Sequence, residues 1–246
     1  RSRDEHLKLH VKIEDLYKSD ELQEPIESEL VKVQTELLNN VGMILTHNLK
    51  QHEKALGYFN IAMSLNMRSD INDQKGIGIA NAGLGDCYYA LKDYSQAESY
   101  YTINLNISRN NGDKEGIVRM SSMLGELKLL NTKNEQDADK REKLLSEASK
   151  YYNQSLILAE EQKSTIGIIC ALSGLLETDI LSELFNKFEY VLERIVENDK
   201  IIVKGPDWAK NRLTQSIKKM EEKTGGQFKK EIENYYNIMK KLQLDI

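Results

Sequence analysis

Leu84-Gly85-Asp86-Cys87-Tyr88, followed by Ala97 and Tyr101, decides the fold, because the same order of residue types returns as Leu124-Gly125, then Ala148 and Tyr152. A weaker earlier copy reads Val41-Gly42, then Ala55 and Phe59. Self-similarity at a period of about forty residues marks units that bury their apolar faces only by stacking on one another. Such units are pairs of antiparallel helices, and the expected architecture is all-α: a right-handed superhelix of helix pairs. Prolines occur only at Pro25 and Pro206. A stretch that long without the residue that breaks helix interiors fits helix throughout.

Working outward, the first pair begins after Pro25, which suits the first turn of a helix. Leu30, Val33, Leu37, Val41 and Ile44 step by three and four residues as one amphipathic stripe, and its partner runs from about Glu53 to Asn66. The second pair covers roughly Lys75 to Leu91 and then a helix capped by Asp93, which stops near Asn110-Asn111-Gly112. The third opens at Asp113-Lys114-Glu115-Gly116 and repeats Asp73-Gln74-Lys75-Gly76. Between its helices, residues 131–142 form a polar insertion, expected as a solvated loop or helix extension. Past Ser164 the pattern decays: Leu176 stands where the inner glycine is due, and Phe188 where the alanine is due. Two last helices are expected to cap the array, one with Trp208, Leu213, Ile217 and Met220 on its face, the other with Phe228, Ile232, Tyr235, Met239 and Leu242. Gly225-Gly226 separates them.

The first-helix glycines Gly42, Gly85 and Gly125, the second-helix alanines Ala55, Ala97 and Ala148, and the aromatics Phe59, Tyr101 and Tyr152 resemble a tetratricopeptide repeat. Small side chains let the two helices of a pair approach closely, and the aromatic fills the gap to the next pair. The linker Asn111-Gly112-Asp113-Lys114-Glu115-Gly116 is most similar to that of the forty-residue repeats of LGN/Pins-type scaffolds. The resemblance covers about residues 36–159. Departures are Asn104 and Ser155 at the third small position, where the first repeat has Ala62, and the absence of the closing proline. The resemblance implies that partners are bound by variable residues of each first helix, which line a concave wall: Glu36, Asn39, Met43 and His47; Ile79, Asp86 and Tyr89; Arg119, Ser122, Glu126 and Leu129. On this reading Glu126→Ala is expected to leave the melting temperature nearly unchanged.

Composition excludes several classes. With 30% charged residues and a net charge of -5, the chain lacks the basic face that nucleic acid requires. No apolar run is read in the sequence as approaching the length of a membrane span, so no membrane insertion is expected. His6 and His10 have helical spacing for a metal but lack a His-Glu-x-x-His context, and Gly76-Ile77-Gly78 lacks the Lys-Ser/Thr ending of a phosphate loop. No cofactor, metal or catalytic residue is expected. Cys87 and Cys170 sit among apolar residues as reduced core thiols. The chain opens on Arg1 rather than Met, as a piece of a longer protein would.

Three segments are expected: residues 1–25, a helical N-terminal segment; 26–200, the repeats with their insertion at 131–142; and 201–246, the capping helices. The functional expectation is a non-catalytic scaffold that binds other proteins, as a linear peptide or a partner helix, in a concave groove; the expected location is the cytoplasm, with association to the cytoskeleton or a cilium as an option. Two alternatives stand beside it: an architectural subunit of a large ciliary or motor complex, and the regulatory domain of a larger enzyme.

Overall fold

The structure, a computed structural model, describes residues 24–68, 71–133, 135–182, 188–202, 204–225, 227–230, 232–233, 236–237 and 240. Every regular element among them is helical. In chain order these are α1 (Glu24–Met43), a π-helical turn (Ile44–Asn48), α2 (His52–Asn66), α3 (Gln74–Ala90), α4 (Tyr94–Asn110), α5 (Lys114–Thr132), α6 (Ala138–Glu161), α7 (Thr165–Ser182), α8 (Phe188–Glu197), α9 (Asp199–Ile202) and α10 (Asp207–Thr224). The expected N-terminal helix, with His6 and His10, lies outside the described residues, as do Tyr235, Met239 and Leu242. The chain forms two compact units, Arg1–Asp113 and Lys114–Ile246, divided inside the segment expected to be one array.

In the first unit, α1 packs on α2, α2 on α3, and α3 on α4. Local sequence sets the helix starts. The Asp73 carboxylate accepts from the Lys75 N–H at 3.0 Å, and the Asp93 carboxylate from the Gln96 N–H at 3.1 Å, each satisfying one of the donors left open at a helix start. Packing follows the small residues. A Cβ on Gly42 of α1 would lie 2.7 Å from the Phe59 ring, and one on Gly83 of α3 would lie 2.3 Å from it. The fully buried ring of α2 is therefore clasped between glycines of two successive first helices. Tyr101 of α4 is seated on Gly85 in the same way, where a Cβ would approach to 2.4 Å.

In the second unit, α5 packs on α6, and α6 on α7. Tyr152 of α6 is clasped like Phe59: a Cβ on Gly125 would stand 3.0 Å from its ring and one on Gly174 2.2 Å. The polar insertion is mostly helix extension. α5 runs on to Thr132, and α6 begins at Ala138 with the Asp137 carboxylate accepting from the Lys140 N–H at 3.0 Å. Only residues 133–137 connect them. Helix α7 corrects one expectation. Among the described residues Thr165–Ser182 is long and apolar enough to cross a membrane by length and composition, and 67% of it is buried inside the protein. Its surroundings explain that composition, since α6, α8, α9 and α10 all pack against it. On α10, Leu213, Ile217 and Met220 are buried as expected, but Trp208 is 57% exposed. Gly225, at φ 59°, ends that helix in the left-handed region open to glycine.

Candidate functional site

The wall residues of α1 and α3 meet in the first unit. Glu36 and Met43 are exposed on α1 and Ile79 on α3. His47 lies in the π-helical turn, with its Nε2 3.6 Å from Asp86 Oδ2 of α3. The Tyr101 hydroxyl donates to the other oxygen of Asp86 at 2.9 Å, so a residue of α4 orients this carboxylate from behind. One turn further along α3, Tyr89 is half-buried, its ring tilted 56° against Tyr94 at 5.8 Å. Beneath them Thr46 donates to the Gly42 carbonyl and lies 3.2 Å from the Cys87 thiol, which burial pushes above its ordinary pKa. Asn39, expected on the open wall, is instead buried, with an amide oxygen that has no hydrogen-bond partner.

The second unit treats its wall residues differently. Arg119 is exposed, but Ser122 is half-buried with its hydroxyl 2.8 Å from that of Ser155, and Leu129 is buried. Glu126 is engaged by the chain itself: Arg212 Nη1 of α10 donates to its Oε2 at 3.1 Å, and both side chains are less than one-third exposed. Burial works against the Arg212 charge, yet Glu126, with Tyr152, Cys170 and Glu177 nearby, outweighs it and holds the guanidinium protonated well beyond its usual range. The expectation that Glu126 tolerates truncation is thereby corrected, since its loss strands a half-buried cation.

Sequence reasoning missed the α7 part of this wall. Gly83 and Gly174 occupy equivalent places against their rings, so Leu176 stands where Gly85 does, and Glu177 where Asp86 and Glu126 do. On the same count Cys170 matches Ile79 and Arg119. The register was already countable from Leu176, which stands where the inner glycine is due, but the count was not carried on to Glu177. No group of three His, Cys, Asp or Glu among the described residues is placed to hold a metal ion. A shallow depression along α6 is lined by Asp139, Glu142, Lys143, Ser146 and Glu147, all from that one helix.

Stacked helix hairpins, with a ring clasped between glycines of successive first helices, have a counterpart among known families. Residues 34–110 match the tetratricopeptide repeat. The matched stretch runs from the middle of α1 to the end of α4 and lies wholly in the first unit. Tetratricopeptide repeats generally mediate protein–protein interaction and are typically non-catalytic. The chain is also similar to a solved structure, the crystal structure of BtubC (BKLC) from P. vanneervenii, with 14% identity and a TM-score of 0.62 over 98% of this chain and 89% of that one. Identity at that level speaks for the fold alone. No curated protein matches the chain. The expected all-α, tetratricopeptide-like helical-repeat fold is the fold observed.

Proposed function

We propose that the chain is a non-catalytic interaction module of the cytoplasm that binds a linear peptide or a partner helix on the α1–α3 wall of its first unit. The observation that carries this reading is the contact of His47 with Asp86, which joins the stripes of two first helices into one surface. Exposed Met43 and Ile79 supply apolar area on it, Glu36 and Asp86 supply charge, and Tyr89 supplies an aromatic anchor of the kind that dominates interfaces. The linker Asn111–Gly116 supports a scaffold of the LGN/Pins type as the finer reading. The test is affinity capture of partners with the full chain, followed by comparison of Met43→Ala/Tyr89→Ala with Lys133→Ala/Gln136→Ala in the connection before α6. Loss of binding in the first and retention in the second is expected; the reverse would overturn the assignment.

One observation favours an architectural subunit instead. Ile61 and Ile103, each one residue before the third small position of its repeat, are 48% and 47% exposed on the second helices α2 and α4. Under that reading the capture experiment would lose partners on Ile61→Ser/Ile103→Ser and keep them on the wall variant.

A further inference from the structure

The C-terminal helix α10 stands where a partner would stand on the second unit. Three of its side chains reach wall positions. Arg212 binds Glu126 of α5, the Ser216 hydroxyl donates to Glu177 Oε1 of α7 at 3.4 Å, and Lys219 Nζ approaches the same oxygen at 3.8 Å. Glu126 and Glu177 hold the same register on successive first helices, so α10 crosses the inner wall rather than closing the end of the array. Beside these anchors Leu213, Ile217 and Met220, at i, i+4 and i+7, enter the core of the second unit together with Ala209. An amphipathic helix laid into a groove on anchors at this spacing is a recurrent mode of peptide recognition.

We propose that α10 is the chain's own groove ligand: it occupies in cis the inner wall of the second unit, and a partner helix of the same pattern enters there by displacing it. The occupant is specified by what α10 presents. It is an amphipathic helix with apolar residues at i, i+4 and i+7 and an arginine at i−1, placed to meet Glu126. Two features make α10 the part of the unit that can leave. Among the described residues its extensive packing is on α7, whereas α7 itself is held by α5, α6, α8 and α9 as well. Its other ties are polar: the Arg212–Glu126 pair is less than one-third exposed, and the Lys219–Glu177 pair opens to solvent, with Lys219 61% exposed. An element held chiefly by one neighbouring helix opens with lower free energy than elements held on several sides. The proposal rests on the reading of the chain as an interaction module and adds a second, self-covered surface to it.

The test uses the full chain, by hydrogen exchange and by binding of a fluorescein-labelled peptide of residues 207–224. In the wild type, amides of α10 should exchange faster than those of α5–α7. Arg212→Glu sets a carboxylate against Glu126 and should speed exchange in α10 by roughly tenfold or more while α5–α7 keep their protection. The labelled peptide should then bind the variant about tenfold or more tightly than the wild type, because the open state is populated more. The charge swap Glu126→Arg/Arg212→Glu should return both readouts toward wild type. The proposal is overturned if wild-type α10 exchanges only together with α5–α7, if Arg212→Glu leaves α10 exchange unchanged, or if opened α10 is not accompanied by peptide uptake. The wild-type exchange pattern decides the case even where the variant does not fold. None of these readouts uses an external partner of the first unit, so their failure and a failed capture experiment are separate results.

Discussion

Gly83→Ala and Gly57→Ala are the same chemical change in helices of the same unit, and the structure gives them opposite signs. At Gly57, on the exposed side of α2, an added Cβ meets nothing within 4 Å. The substitution there should stabilise by about 0.5–1 kcal/mol, the usual gain of alanine over glycine inside a helix. At Gly83 the Cβ would fall 2.3 Å from Phe59 Cε1 and Cζ. Ordinary carbon contacts lie at about 3.5–4.0 Å, so the ring must yield by more than about 1 Å. It has no room to do so, because its far side faces Gly42, where a Cβ would already stand 2.7 Å away. Overpacking of about 1–3 kcal/mol then outweighs the helix gain, leaving a net loss of about 1–2 kcal/mol. The two variants should differ by about 2–3 kcal/mol, or several degrees of melting temperature at about 2–4 °C per kcal/mol for a chain of this size. Thermal and urea unfolding followed by far-UV circular dichroism would measure it, with Gly83→Ala/Phe59→Leu as the expected partial rescue. A Gly83→Ala chain as stable as Gly57→Ala would refute the clasp as the device that sets the packing.

Glu126→Ala should lower the urea midpoint by the equivalent of about 1–2 kcal/mol, between the values for exposed and fully buried ion pairs, because Arg212 keeps its charge without a partner. Tyr152 has a buried hydroxyl with no hydrogen-bond partner, so Tyr152→Phe should leave stability at neutral pH unchanged or slightly raised. Burial raises the Tyr152 pKa in the folded chain far above its unfolded value of about 10, so its neutral form contributes stability that is present below that pH and lost as pH rises beyond it. The alkaline fall in unfolding free energy should accordingly be shallower in Tyr152→Phe than in the wild type. Asp93→Ala removes the cap of α4 and should cost about 1 kcal/mol, with the loss of hydrogen-exchange protection centred on its first turn.

The helix pairs were legible because glycine, alanine and an aromatic ring at fixed spacing admit one solution, close approach with the ring in the gap. Gly42, Gly85 and Gly125 all touch the ring they were paired with. The second glycine of each clasp, Gly83 and Gly174, was not read as such, since it belongs to the following helix and has no local signature. The wall residues of the first unit came from the family resemblance, which does not report cover: Asn39 lies on the expected stripe and is buried. In the second unit the failure was of long range. Arg212 is 86 residues from Glu126 in sequence and sits beyond a decayed repeat, so nothing local links them. The insertion at 131–142 was read as loop or helix extension, and Asp137, a strong cap three residues before Lys140, shows why helix takes over so early.

The π-helical turn at Ile44–Asn48 acts as a phase shifter. Its Leu49 N–H reaches back five residues to the Ile44 carbonyl at 3.1 Å, so the helix carries one residue more in this turn than an α-helix would. Everything upstream, including Glu36 and Met43, keeps one angular setting on the wall, while His47, near the end of the turn, is offset by the extra residue and meets Asp86. Removing a single residue from the turn would restore a plain α-helix and swing the side chains beyond it by about 100°. A one-residue length change at this point would therefore re-aim the last position of the wall together with buried Leu45 and Thr46 of the same turn, and leave Glu36 and Met43 as they are, so what the surface reads and the packing beneath it are tied to one residue count.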